Sequence, residues 1–156
     1  MVIRERSINK GNLCRALDRI ALPDKFDFST DLRLRFRDIN AGNHLAHDAV
    51  LSLAEEARFL FLEHLGYPHL NIEGCGYVAA DAAIVYLSQA FFGQVLTIEV
   101  AVRDFGSKSC DFIYRLSNRE TGEEVARAKT GIVFFDYETQ QSVKVPDRFK
   151  ARFEIL

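Results

Sequence analysis

Four side chains within a short run can move a proton or hold a carbonyl: Asp38, Asn40, His44 and Asp48. The run reads Asp38-Ile39-Asn40-Ala41-Gly42-Asn43-His44-Leu45-Ala46-His47-Asp48. A carboxylate such as Asp48 can act as a general base toward water, and the imidazole of His44 can hydrogen-bond a carbonyl or the attacking water. Asn40 can orient a group but not deprotonate it. Each residue also has a purely structural role open to it. His44 fits a helix-capping turn, Asp48 fits the first helical turn, where the dipole favours an anion, and Asn40 fits turn formation. His44-x-x-His47 has ligand types but no third partner at suitable spacing, so no metal site is assigned.

The elements that must carry these residues are a turn and a helix. Asn40-Ala41-Gly42-Asn43 is turn chemistry and ends whatever precedes it. A helix follows, with Ala49, Val50, Leu51, Leu53, Ala54, Ala57, Phe59, Leu60, Phe61, Leu62 and Leu65 apolar, and Gly66 then Pro68 to stop it. The apolar positions cover most of its circumference, which predicts a buried central helix. Asp48, Ser52, Glu55, Glu56 and Glu63 form a thin polar edge, with Glu55 and Glu56 in reach of Arg58. The first N–H groups of this helix point back at the turn, a ready site for an anion or a developing oxyanion.

Before the turn, Thr30, Leu32, Leu34 and Phe36 alternate with Asp31, Arg33, Arg35 and Arg37, the period of a half-buried strand with a solvated arginine face. After the helix come strand patterns at Tyr77–Leu87, Val95–Arg103, Cys110–Leu116 and Glu124–Phe135. Asp81 stands out in the first of these, a charge that either faces a pocket or emerges at a sheet edge. Short turn-rich connections make neighbouring strands antiparallel. The order predicts an α+β domain, one curved antiparallel sheet around one long helix. Residues 1–28 are expected as an arm or short helix, 29–145 as the domain and 146–156 as a C-terminal tail, with a short strand expected within 136–156 after the Asp136–Thr139 turn.

The chain is 156 residues long with a formal net charge of −2, which suits one ordinary domain and argues against nucleic acid as a partner. No apolar run reaches membrane-span length, and the N-terminal residues lack a signal-peptide core. Cys14, Cys75 and Cys110 are odd in number and widely spaced, which predicts reduced thiols and a cytoplasmic location.

Asp38, His44, Leu51, Glu55, Ala57 and Arg58, in this order of elements, resemble the hotdog-fold acyl-CoA thioesterases of the 4-hydroxybenzoyl-CoA thioesterase type. The family pattern reads approximately D-x-D-x-x-G-H-V-N-N-x-x-Y-L, then E-x-A-R. The resemblance spans about residues 28–145. This chain departs from the pattern at several points. Asn40 replaces the second Asp, often the catalytic carboxylate, Asn43 replaces the Gly, Ala46 and His47 replace the paired Asn, and Val50 replaces the aromatic residue.

The resemblance implies hydrolysis of an acyl thioester to the free acid and coenzyme A without a cofactor, with Asn40, His44 and Asp48 as catalytic residues. It implies substrate contacts from Asp38, Asn43, His47, Val50, Ala54 and Asp81. Lys108, Arg127 and Lys129 are either partners of the coenzyme phosphates or ordinary strand-face charges. The missing carboxylate leaves Asp38, Asp48, Asp81 and the helix glutamates open as the base. Two other functions stay open. The hydratase branch of the fold carries D-x-N-P-x-H-x-D, which Asp38, Asn40, His44 and Asp48 approach without the proline and with an extra residue before the His. A non-catalytic acyl-thioester binder also fits the absent Asp. The fold implies a homodimer or homotetramer joined by sheet edges, which suits an edge that a single helix cannot cover.

Overall fold

A computed structural model describes residues 20–69 and 71–154. The expectations for most of the N-terminal arm lie outside these residues. The elements in order are β1 (Phe28–Arg33), a 3-10 turn (Phe36–Asp38), the central helix α1 (His47–His64), β2 (Gly76–Tyr86), β3 (Val95–Arg103), β4 (Ser109–Asn118), β5 (Glu124–Asp136), β6 (Gln141–Ser142) and a short C-terminal helix α2 (Asp147–Ala151). The strands form one antiparallel sheet in the order β1-β3-β4-β5-β2, with β6 beside β5. Every β3–β4 and β4–β5 pair of neighbours is a hairpin, so alternation along each strand puts one whole row of side chains against α1. The inner row of β3 includes Leu96, Ile98, Val100 and Val102, and that of β4 includes Cys110, Phe112, Tyr114 and Leu116, all buried. Burial pushes the Cys110 thiol up to about 12, which leaves it an inert core side chain.

Two expectations need correction. The first strand ends at Arg33 rather than running through Phe36, and Phe36 is 83% exposed instead of facing inward. The cause is Asp38, whose Oδ2 accepts the Arg35 N–H at 2.7 Å and closes a 3-10 turn in place of further ladder bonds. The central helix is also less enclosed than its composition suggests. Ala49, Val50, Leu53, Ala54, Ala57, Arg58, Phe61 and Leu62 are its buried residues, whereas Phe59 is exposed. The sheet wraps one broad face of the helix and leaves the other to solvent in the single chain.

The segment 146–154 adds to the core. Phe149 of α2 is fully buried and packs edge-on to Tyr67, Phe105, Phe134 and Phe153 at centroid separations of 5.1–6.2 Å. Phe28 stacks on Phe61 at 5.3 Å, and Phe153 reaches the same ring at 6.1 Å. This aromatic plug closes the end of the sheet opposite the start of α1. Phe149→Ala is expected to lower unfolding free energy by about 3–5 kcal/mol, the usual cost of emptying a buried phenylalanine site. Urea denaturation followed by circular dichroism measures it, and a loss below about 1 kcal/mol contradicts a core role for α2.

Candidate active site

The turn before α1 is held by its own backbone. Asn40 N–H donates to His44 O and Asn43 N–H to Asn40 O, both at 3.0 Å, and Ile39 bridges to Leu45. Asn43 takes φ 65°, a left-handed value that asparagine tolerates better than most residues. Asn40 Oδ1 accepts the Gly42 N–H at 2.9 Å, an Asx turn. Two further bonds dock the loop: Leu45 N–H to Ala90 O at 2.7 Å and Ala46 N–H to Asp38 O at 2.8 Å. The second leaves the Asp38 carboxylate behind the turn.

A cavity of about 310 Å³ opens where this turn, the start of α1, the end of β2 and the start of β5 meet. Its polar side chains are Asn40, His44, His47, Tyr86, Ser88 and Gln89, and its apolar walls are Leu45, Val50, Leu87, Val125 and Ala126. Apolar walls with a few placed polar groups are the usual makeup of a small-molecule site. His44 Nδ1 lies 3.3 Å from the Leu45 carbonyl. A carbonyl only accepts, so Nδ1 carries the hydrogen in this contact and Nε2 is left for an occupant. Tyr86 Oη donates to His47 O at 3.0 Å and ties the end of β2 to the first residue of the helix. Burial, followed by the nearby Asp48 charge, raises the Tyr86 hydroxyl above its ordinary value, so it stays a donor at neutral pH. Ser88 Oγ is already used, donating to Glu124 O at 2.9 Å.

Of the catalytic residues expected, Asn40 and His44 line the cavity together. Asp48 is exposed in the first turn of α1, outside the lining but near enough to Tyr86 to act on it. His44 is not in the helix, which begins at His47, so Asp48 and His44 do not share a helical turn. Of the expected substrate contacts, His47 and Val50 line the cavity. Asp38 is buried and serves the 3-10 turn, Asn43 is an exposed turn residue, and Ala54 is sealed in the core one turn beyond Val50. Asp81 is exposed on β2, its carboxylate lying across Gly131, where an added Cβ would stand 2.7 Å from Oδ1. Tyr86, Ser88 and Gln89 also line the cavity, and no sequence motif marks them. Their signal is faint, a polar group directly following the apolar run of β2. Among the described residues no cluster of three metal-ligating side chains occurs.

Gly42 sets the spacing of the two central polar groups. A Cβ there would lie 3.1 Å from His44 Nε2 and 3.2 Å from Asn40 Oδ1. Both groups would have to yield by a few tenths of an ångström, and misplacement on that scale costs rate. Gly42→Ala is therefore expected to reduce turnover about tenfold or more with little change in thermal midpoint. Steady-state kinetics beside a melting curve reads this. Unchanged turnover removes Asn40 and His44 from any precisely spaced role.

Several solved structures share this fold. A 1,4-dihydroxy-2-naphthoyl-CoA thioesterase from Synechocystis superposes with a TM-score of 0.73 at 18% identity, covering 81% of this chain and 94% of that one. A gentisyl-coenzyme A thioesterase gives 0.70 at 18%, covering 79% and 99%. A thioesterase superfamily protein from Jannaschia gives 0.75 at 20%, covering 88% and 87%. No curated protein matches the chain in sequence. The model of the thioesterase-like superfamily matches residues 34–153, which takes in the turn, α1 and all of the sheet except β1, and the chain belongs to that superfamily.

Proposed function

We propose that this protein hydrolyses an acyl-CoA thioester, with the thioester carbonyl at the start of α1. One observation carries the reading: the helix begins beside the cavity without a side-chain cap. Ala46 occupies the N-cap position and makes no capping hydrogen bond, while His47 and Val50 of the first turn line the cavity. Natural helices usually place Ser, Thr, Asp or Asn there. An uncapped start leaves N–H groups free to stabilise the oxyanion that forms when water attacks a thioester.

In this reading Asn40 and His44 Nε2 orient the carbonyl or the water. Among the described residues no carboxylate lines the cavity of a single chain, so the base is Asp48 at its rim or a carboxylate from a second copy. The tetrahedral intermediate then collapses, the C–S bond breaks, and coenzyme A leaves as a thiol. The cavity is at the small end for ligand sites, which suits a short or single-ring acyl group. Two of the structural relatives are named for aryl-CoA substrates, the gentisyl group being a single ring and the naphthoyl group two fused rings.

A second copy also fits the sheet. Among the described residues β2 pairs on one side only, with β5, and its residues Ala79–Ala83 are exposed in the single chain. A long, exposed, alanine-rich edge is the kind that pairs with another chain. A homodimer or a higher homo-oligomer is expected, and sedimentation equilibrium at micromolar concentration checks it. A monomer there contradicts the edge-pairing reading and with it any base from a second copy.

Incubation with a panel of aliphatic and aryl acyl-CoA thioesters, followed by thiol titration, is expected to release free coenzyme A. Loss of enoyl absorbance with trans-2-enoyl-CoA and no thiol release would instead mark a hydratase, and binding without turnover a carrier or sensor. Asp48→Asn is expected to lower turnover by about 10²–10⁴ with the fold and assembly unchanged, the usual loss for a general base. Near-full activity of that variant excludes Asp48 as the base.

A further inference from the structure

We propose that the surface hollow walled by Arg33, Phe92 and Arg119 is a subsite for the phosphorylated adenosine end of coenzyme A. The inference rests on the thioesterase reading and names how that substrate is held away from its reacting carbon. The hollow measures about 610 Å³ and is lined also by Gly93, Gln94 and Glu120. The three basic residues that the sequence offers for the phosphates are all engaged elsewhere. Lys108 donates to Ser142, Arg127 pairs with Glu124, and Lys129 pairs with Asp111 at 2.8 Å. Arg33 differs: it is exposed, and among the described residues it has no carboxylate within ion-pair distance. Its guanidinium rests near the loop tip, with Nη2 3.7 Å from where a Cβ on Gly93 would stand. Arg119 is oriented from behind by Asp31, through Nε at 3.4 Å, which leaves its other N–H groups available.

The chemistry of this hollow matches a nucleotide bearing several phosphates. Two guanidinium forks suit phosphate oxygens. Phe92 is 65% exposed and Phe91, its neighbour, 46%, so a large ring stands in solvent beside the arginines. An exposed aromatic next to cationic forks is a stacking platform for a base. Glu120 can accept from the exocyclic amine of adenine. Gln94 Oε1 accepts the Phe91 N–H at 2.9 Å, which sets the loop and leaves the amide nitrogen as a further donor.

The placement also fits one extended ligand. The loop that ends the cavity wall at Leu87–Gln89 continues directly into Phe92–Gln94 of the hollow. Gly93 follows Gln89 by four residues, at most ~14 Å of extended chain. Across the sheet, Ala126 of the cavity pairs with Leu116 of β4, and Asn118, two residues on, pairs with Leu96 of β3 beside Val95 of the hollow. Adjacent strands lie about 4.8 Å apart, so β5 and β3 are roughly 10 Å apart. The two sites therefore share one end of the sheet, at a separation that a flexible pantetheine arm spans.

The test uses the whole chain in two measurements. Calorimetric titration with adenosine 3′,5′-bisphosphate is expected to show binding that Arg33→Glu abolishes. Kinetics then compare one acyl group carried on coenzyme A and on pantetheine, which lacks the nucleotide. The preference of wild type for acyl-CoA, as a ratio of kcat/KM values, is expected to fall about tenfold or more in Arg33→Glu, the scale of a lost charge-assisted hydrogen bond. No heat from the bisphosphate with wild type, or an unchanged preference in the variant, overturns the subsite. If neither thioester releases thiol, the hydrolase reading fails by itself, and the calorimetry still decides whether the nucleotide binds.

Discussion

A guanidinium buried in the core sets the seating of the central helix. Arg58 is only 6% exposed, yet its nearest carboxylate, Glu55, stands 3.8 Å away and faces solvent. The charge is met instead by neutral groups. Nη1 donates to Tyr114 Oη at 3.2 Å and to Thr130 Oγ1 at 3.1 Å, and those two hydroxyls are 3.0 Å from each other. The rings of Tyr77 and Phe112 lie 5.5 and 5.8 Å from Cζ, within cation–π range. Nε has no partner among the described residues. Taking an ion out of water costs several kcal/mol, and only an arrangement this specific offsets it. The helix can therefore not slide or rotate without uncovering the charge, since its partners sit on β4, β5 and β2.

That constraint reaches the cavity through rigid parts. From Arg58 back to His47 the helix is continuous, so the docking of its middle fixes the position of its first turn. The hydroxyl of Tyr86 then joins that first turn to the end of β2. Backbone bonds from Leu87 and Ser88 to Val125 O, at 2.9 and 3.2 Å, tie the same corner to β5. The candidate site is thus built where three elements end and is held by the ladder and the helix, not by the loops alone. Precision of this kind is what a site for an oxyanion requires, because donors that must reorganise contribute little to rate.

How much of this was legible depended on whether a residue's role was local or long-range. β3, β4 and β5 were readable because strict alternation survives when one face is buried. The helix, its start and the turn were readable from Gly42, Gly66 and the apolar run. At Phe36 the pattern misleads, because alternation in the sequence continues past Arg35, whose backbone N–H goes to Asp38 and not to the ladder. The lining role of Tyr86, Ser88 and Gln89 has no local signature. It follows from the antiparallel pairing of β2 with β5, which brings residues far apart in sequence to one corner. Nor does charge pattern alone tell Arg33 from Lys129, since only the fold shows that Lys129 already has Asp111 beside it.

The unclosed start of α1 has a further consequence, for folding equilibrium. Its first amides have no side-chain cap among the described residues, so the fold carries a donor set that an anion can complete. Whatever fills it binds the native state and not the unfolded one, and at a hundredfold excess over its dissociation constant adds about 2.7 kcal/mol to stability. The carboxylate that thioester hydrolysis leaves behind has the right charge for the same amides. A helix whose N-cap is an alanine thus couples the occupancy of the site to the melting temperature of the whole domain.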